Sequence, residues 1–259
     1  MSGTQSIERV INLLRAVASR GRSGMRLGDV AAATGLPTST CFRMLQRLET
    51  EGVLERHPLS RKYQLGSLIY ELGLLAFPRF QLAQRCEHTL AALADRTQDT
   101  VYLSERRGTE AVCSARALGD YPIKALTLDV GIRRPLGVGA GGLAILGALP
   151  PAEADEIIAS HAERYPKLSK LTAERVRDAV AETRERGFAF LEGPVFPGTA
   201  AVGVTIPSLA NRAAISVAAI SSRLDEARRI EIASELKRQA AQLSRMLDAS
   251  GDSLPRTNE

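Results

Sequence analysis

The chain has 259 residues, enough for two ordinary domains, and 44% of them are hydrophobic, enough for real cores. Aromatic residues are 4% of the total and Trp is absent, which argues against aromatic platforms for stacking single-stranded nucleic acid. No apolar run approaches the roughly 18 residues of a membrane span, no signal peptide opens the chain, and Cys41, Cys86 and Cys113 fit no disulfide framework, so a soluble cytoplasmic protein with no membrane partner is expected. The net charge is +5, and it is uneven: residues 1–77 hold ten Arg/Lys against six acids, a surplus of +4 that leaves +1 for the remainder.

After a weakly ordered start over Met1 to Gln5, Ser6 is placed to cap a first helix, with Ile7, Val10, Ile11, Leu14 and Val17 at helical spacing. Met25-Arg26 reads as a short strand. Asp29 to Ala33 is a short helix ended by Gly35, and Pro37 starts the next one. On that second helix Cys41, Leu45 and Leu48 face inward, while Thr40, Arg43 and Arg47 share a polar face. Thr38 and Ser39 fall at its N-terminus, where small hydroxyls and backbone N–H groups meet phosphate. This is a helix-turn-helix pattern. Gly52 ends the helix. Val53 to Arg56 and Lys62 to Leu65 then alternate around His57-Pro58-Leu59-Ser60, a hairpin that reads as a wing with Arg61 and Lys62 near its tip. The basic surplus lies where a duplex-binding module would lie. Residues 1–65 are therefore expected to form a winged helix-turn-helix DNA-binding domain.

Residues 66–78 follow as a helix with Leu68, Ile69, Leu72 and Leu75 on more than one side, ended by Pro78. It reads as a linker helix packing on a partner chain, or else as an ordinary core helix. From 79 to 249 a second domain is expected. It has helices at Phe80 to Arg96, Ala152 to Ala159 and Ala173 to Arg186, and a long final one at Asp225 to Leu247. Strands are expected at 100–104, 111–115, 123–128 and 188–191, with 201–206 and 213–220 as paired central strands. The fold class is α+β, not doubly wound. The polar tail, 250–259, is expected to be flexible.

Gly137-Val138-Gly139-Ala140-Gly141-Gly142 fits G-x-G-x-x-G by letter. A dinucleotide fold also needs a long strand before it, a long helix after it and an acid closing the next strand. Here Pro135 precedes, the helix from Leu143 stops at Pro150-Pro151, and Asp155 and Glu156 fall inside the next helix, so no cofactor is expected. The small residues either let backbone N–H groups approach a ligand at a helix start or serve tight helix–sheet packing. His57, His88 and His161 lie near no evident nucleophile, no spacing resembles a metal site, and no catalytic residue is assigned. His88 and His161 are expected to face solvent, and Cys113 to be a small core residue.

Taken together, the chain resembles the IclR family of bacterial transcriptional regulators from about Ser6 to Leu247. The resemblance is carried by Ser6-Ile7-Glu8-Arg9, Gly35-Leu36-Pro37-Thr38-Ser39-Thr40, Arg43, Gly52, Tyr63-Gln64-Leu65-Gly66, Arg134-Pro135-Leu136, Arg186-Gly187-Phe188 and Gly198. It implies a winged helix, a linker helix and a GAF-like effector-binding domain with a mixed sheet flanked by helices. Assembly as dimers or dimers of dimers on inverted-repeat operators is implied as well. By position, the effector pocket would be lined by Ala140, Gly141, Leu191, Ala201, Ser216 and Ala218. Leu191, Ala201 and Ala218 are apolar where relatives that bind small keto acids carry polar groups, and Leu143 stands where a basic residue is usual. The resemblance, so modified, implies a largely apolar effector, such as an aromatic acid oriented by backbone N–H groups and Ser216.

The function expected is a homo-oligomeric, effector-responsive regulator of double-stranded DNA operators. Thr38, Ser39, Thr40, Arg43 and Arg47 would enter the major groove, and Arg61 and Lys62 would hold flanking phosphate. Two alternatives stay open: an enzyme with an appended DNA-binding head that uses the Gly-rich turn as a cofactor site, and a non-responsive architectural DNA binder.

Overall fold

The computed structural model describes residues 4–76, 82–168, 170–193 and 196–249. The chain divides into two compact units, residues 1–80 and 81–259. Pro78, the expected helix start at Phe80, and the tail 250–259 lie outside the described residues.

The first unit contains α1 (Thr4–Ala18), α2 (Leu27–Thr34), α3 (Thr38–Thr50), β1 (Leu54–Arg56), β2 (Tyr63–Leu65) and α4 (Ser67–Ala76). Helix α1 already includes Thr4 and Gln5, so Ser6 lies inside it and is not its cap. Leu13 and Val17, one turn apart, are its buried residues, whereas Ile7 and Ile11 face outward. Leu13, Val17, Val30, Cys41, Leu45, Leu54 and Tyr63 close one core. Gly35 ends α2 with φ 67°, a left-handed conformation that glycine adopts at no steric cost. Pro37 occupies the cap position just before α3 and its carbonyl accepts from Cys41 N–H at 2.9 Å, one residue earlier than its expected place in the helix. The wing is a two-stranded antiparallel ladder, Leu54 opposite Leu65 and Arg56 opposite Tyr63. The expected strand at Met25-Arg26 reduces to one bridge, Met25 with Tyr63, because Arg26 turns directly into α2. In α4 no residue is buried, and Tyr70, Leu72, Leu74 and Leu75 are all exposed.

The second unit contains α5 (Leu82–Thr97), β3 (Thr100–Arg107), β4 (Glu110–Leu118), β5 (Arg133–Pro135), α6 (Ala140–Ala148), α7 (Pro151–Ser160), α8 (Tyr165–Leu168), α9 (Ala173–Arg186), β6 (Ala189–Glu192), β7 (Thr199–Thr205), β8 (Ala213–Ile220) and α10 (Glu226–Ala249). One sheet runs in the order β5-β4-β3-β8-β7-β6. Every ladder in it is antiparallel, so the sheet is not the mixed one expected; an all-antiparallel sheet fits the α+β class and excludes a doubly wound fold. Side chains alternate across a strand. Val101, Leu103, Val202, Ile215 and Val217 therefore face α5 and α10 in one core. On the opposite face α6, α7 and α9 pack around Leu143, Ile145, Ile157 and Val176.

The strand expected at 123–128 is absent: the segment from 119 to 132 is irregular. Ile123 and Leu126 are 58% and 52% exposed, so their apolar character marks no buried strand. The segment is tied to the sheet by a side chain instead, since the Tyr102 hydroxyl donates to the Ala125 carbonyl at 2.8 Å. The edge place on the sheet goes to β5, where Arg134 opposes Ala111. Helix α6 starts at Ala140, three residues before its expected start, because the small residues of the Gly-rich run are themselves its first turn.

Candidate functional site

The basic face of the first unit is built from α3 and the wing. Thr38, Ser39, Arg43 and Arg47 are exposed, and Thr40 is half-buried. Arg43 and Arg47 are one turn apart and so share a face. Arg47 forms an ion pair with Glu51 along the helix, while Arg43 has no ion-pair partner among the described residues. Phe42, 40% exposed, and Gln46 flank Arg43 on the outward surface. Sequence reasoning passed over both, although their offsets from Ser39 (three and seven residues) are the signal that would have found them.

At the wing, Arg61 is exposed and Lys62 half-buried. The tip is a fastened turn. His57 N–H donates to the Lys62 carbonyl and Arg61 N–H to the His57 carbonyl, both at 2.9 Å. The His57 Nδ1 accepts from Leu59 N–H and Ser60 N–H at 3.3 and 3.2 Å. Arg61 itself takes φ 58°, a left-handed backbone on a residue with a Cβ. The hairpin thus carries Arg61 and Lys62 on a hydrogen-bonded turn.

In the second unit a cavity of about 50 Å³ lies between the sheet and the start of α6. Its floor is set by register: Ser216 of β8 sits between Gly203 of β7 and Tyr102 of β3, and Ala218 sits opposite Ala201. Ala140 and Gly141 form the wall above. Gly141 is required by contact, because a Cβ there would come 2.5 Å from the Ser104 hydroxyl. Five of the six expected pocket residues, Ala140, Gly141, Ala201, Ser216 and Ala218, therefore line one space. Leu191 does not line it. It lies opposite Ala201 in the β6–β7 ladder and packs into the core beneath α6 and α9.

Several lining residues were not foreseen, among them Tyr102, Ser104, Thr127 and Arg134. Arg134 was visible only as part of the Arg134-Pro135-Leu136 run. The alternation of β5 separates the two arginines: Arg133 turns to Glu110 at 2.8 Å, and Arg134 turns into the cavity. Its guanidinium donates to the Thr127 carbonyl at 2.5 Å and lies 5.8 Å from the Phe196 ring centre. Burial pushes the Arg134 pKa below its ordinary value. Burial also raises the Tyr102 phenol. Cys113, fully buried against Tyr102 and Ala218, is a core residue as expected, and that burial pushes its thiol up to about 11.

His161, expected to face solvent, is buried at 5% exposure. It ends α7 beneath the β3–β4 turn, where its Nε2 meets the Thr109 carbonyl at 3.0 Å. Burial lowers its pKa. His88 is exposed, as expected. A wider groove of about 500 Å³ runs between α5 and α10. Within it Glu235 is bound by Arg96 at 2.8 Å and by Arg238 at 2.6 Å; the smaller cavity, where five of the six expected pocket residues meet, is the better candidate site.

A helix-turn-helix with a basic wing, followed by a sheet-and-helix unit enclosing a small cavity, defines a two-part DNA-binding regulator. The chain belongs to the IclR family: residues 6–58 match the IclR helix-turn-helix domain, and residues 75–245 match the C-terminal region of bacterial transcriptional regulators of that name. It is similar to the HTH-type transcriptional regulator XynR of Escherichia coli, with 27% identity over 94% of this chain and 97% of the relative. KipR of Bacillus subtilis is 26% identical over 87% and 91%. Among solved structures, an IclR regulator from Alicyclobacillus acidocaldarius superposes with a TM-score of 0.73 at 24% identity, covering 93% of this chain and 98% of the other. An IclR homologue from Microbacterium hydrocarbonoxydans, complexed with 4-hydroxybenzoate, has a TM-score of 0.72 at 21% identity, covering 94% and 99%. The protein is a helix-turn-helix transcriptional regulator, and DNA is its partner. No helix among the described residues is long and apolar enough to cross a membrane.

Proposed function

We propose that the chain is a cytoplasmic, homo-oligomeric regulator without catalytic activity that grips inverted-repeat operators and releases or tightens its hold when a small, largely apolar molecule binds. Residues 1–65 carry DNA contact, 66–78 link, and 79–249 bind effector and assemble the oligomer. Thr38, Ser39, Thr40 and Arg43 read the major groove together with Arg47, while Arg61 and Lys62 hold phosphate. The exposed apolar α4 favours assembly, since a helix with Tyr70, Leu72, Leu74 and Leu75 bare to water gains by covering them.

The observation that carries the effector assignment is the cavity between β7, β8, β3 and the start of α6, where Ala140, Gly141, Ala201, Ser216 and Ala218 meet. Its walls are mainly small apolar side chains with a few polar groups, the composition of a small-molecule site. The 4-hydroxybenzoate held by the homologue from Microbacterium hydrocarbonoxydans favours the same class of compound here. The cavity as it stands holds at most a few waters. A ring-sized effector must push back the 119–132 segment or Phe196, and that displacement is the step by which occupancy could alter the rest of the molecule. A ligand shifts such an equilibrium only by its difference in affinity for the two states.

A screen of aromatic and aliphatic acids, alcohols and amides by thermal shift tests this, with operator binding measured for each hit. A hit that changes operator affinity supports the function. Stabilisation by no compound of any class, with operator binding intact, would favour the non-responsive DNA binder.

A further inference from the structure

Arg134 is an unusual group to find in a small apolar cavity. It has no carboxylate partner among the described residues. The nearby acids are committed elsewhere: Glu110 is held by Arg133 and Arg164, each at 2.8 Å, and Asp129 by Arg116 at 2.7 Å. Its one described hydrogen bond, to the Thr127 carbonyl, leaves most of the five donors of a guanidinium unused. A partly desolvated cation without a counter-ion is a cost to the fold that an incoming anion relieves.

A second feature of the same cavity favours negative charge. Helix α6 begins at Gly139-Ala140 with no side-chain cap and no acid in its first turn. The positive end of the helix and its free N–H groups therefore lie on the wall that Ala140 and Gly141 form. Ser104 and Ser216 supply hydroxyls from the sheet side, and neither has a hydrogen-bond partner among the described residues. The Tyr102 hydroxyl is already used, donating to Ala125 and accepting from Thr127 N–H at 3.1 Å.

We propose that Arg134 is the anion receptor of this cavity, and that the effector is a compact monocarboxylate whose apolar body lies against Ala201 and Ala218. This rests on the cavity being the effector site. One guanidinium matches one carboxylate, bound through two parallel N–H donors. A phosphate dianion or a dicarboxylate would leave charge unpaired, since the cavity offers no second cationic side chain among the described residues. The helix end and the serines orient the same carboxylate.

The test compares matched pairs that differ only in charge. Benzoate and benzamide, phenylacetate and phenylacetamide, and cyclohexanecarboxylate and its amide are titrated calorimetrically into the full chain. The expected result is that at least one acid binds more than tenfold tighter than its amide. Arg134→Met erases the preference, and Arg134→Lys, which keeps charge but not the fork, retains part of it. A cooperative melt establishes that each variant is folded. If Arg134→Met does not fold, the acid-to-amide ratio in wild type and Arg134→Lys decides. Amides binding as well as acids, neutral compounds binding while acids do not, or an undiminished acid preference in folded Arg134→Met would overturn the role of Arg134 while leaving the cavity as effector site. Failure of acids and neutral compounds alike would count against the cavity itself.

Discussion

The Tyr102 hydroxyl donates to the Ala125 carbonyl at 2.8 Å and accepts from Thr127 N–H at 3.1 Å, so one phenol from the central sheet fastens the irregular segment over the cavity. Tyr102→Phe removes both bonds and leaves the ring in place. Losing bonds to partly buried backbone groups costs about 1–3 kcal/mol. The Thr127 amide keeps its 2.9 Å bond to the Ala125 carbonyl, so the expected outcome is a moderate rise in its hydrogen exchange and a lower melting temperature. Unchanged exchange at Thr127 would mean that the segment is held by other contacts.

Arg43 and Lys62 are predicted to fail differently. Arg43→Ala removes a base-reading side chain, a loss of about 1–3 kcal/mol on the specific duplex and little on random DNA. Lys62→Ala removes a phosphate contact and weakens every duplex alike. Kd values on a selected operator and on random DNA check both. Equal losses on the two DNAs for Arg43→Ala would refute its role in reading bases.

Arg61 holds φ 58° at the wing tip, which costs a residue with a Cβ roughly 1–2 kcal/mol. Arg61→Gly is therefore expected to raise the stability of the winged unit by up to about 1 kcal/mol, the added freedom of the unfolded glycine offsetting part of the relief. It should weaken DNA binding at the same time. Thermal melts and duplex titrations on one preparation test the opposed signs. A variant both less stable and unimpaired on DNA would contradict the assignment.

The hairpin, the α2–α3 turn and the pairing of β7 with β8 were legible because glycine closures and strict alternation leave few other solutions. The cavity floor was legible for a related reason: Ser216 and Ala218 are two apart on one strand and must share a face. Three things were hidden. Ile123 to Leu128 resembles a strand in composition, yet the segment is tied to the sheet by a hydrogen bond from Tyr102, twenty-three residues before Ala125. Arg134 reaches the cavity only because β5 lies on the sheet edge with Arg133 turned away to Glu110. Leu191 shares a side with Ala201 but lies too far toward α9 to meet the cavity. Each depends on partners distant in sequence, which local periodicity does not encode.

His161 links stability to pH. Burial lowers its pKa first of all, Arg164 beside it adds to that, and the Thr109 carbonyl and Glu110 oppose it. The folded state therefore favours the neutral ring. The unfolded chain takes up a proton as pH falls through the ordinary histidine value near 6.5, before the folded protein does. Stability is complete above that value and declines as pH drops below it toward the lowered folded pKa. Urea titrations of the second unit's transition between pH 7.5 and 5.5 should show this decline in wild type and a flatter profile in His161→Gln. Parallel profiles would assign the decline to other groups.

Salt dependence of operator binding bears most directly on the central claim, that the basic N-terminal unit is a duplex-gripping surface. A duplex selected by the protein from a random pool is titrated from low to physiological salt, with wild type and with Arg43→Ala/Lys62→Ala. Each phosphate neutralised contributes a slope of roughly −0.9 to log K against log salt. The account predicts a steep linear fall for wild type and a shallower one for the double variant. Binding indifferent to salt, or the same slope in both proteins, would contradict it.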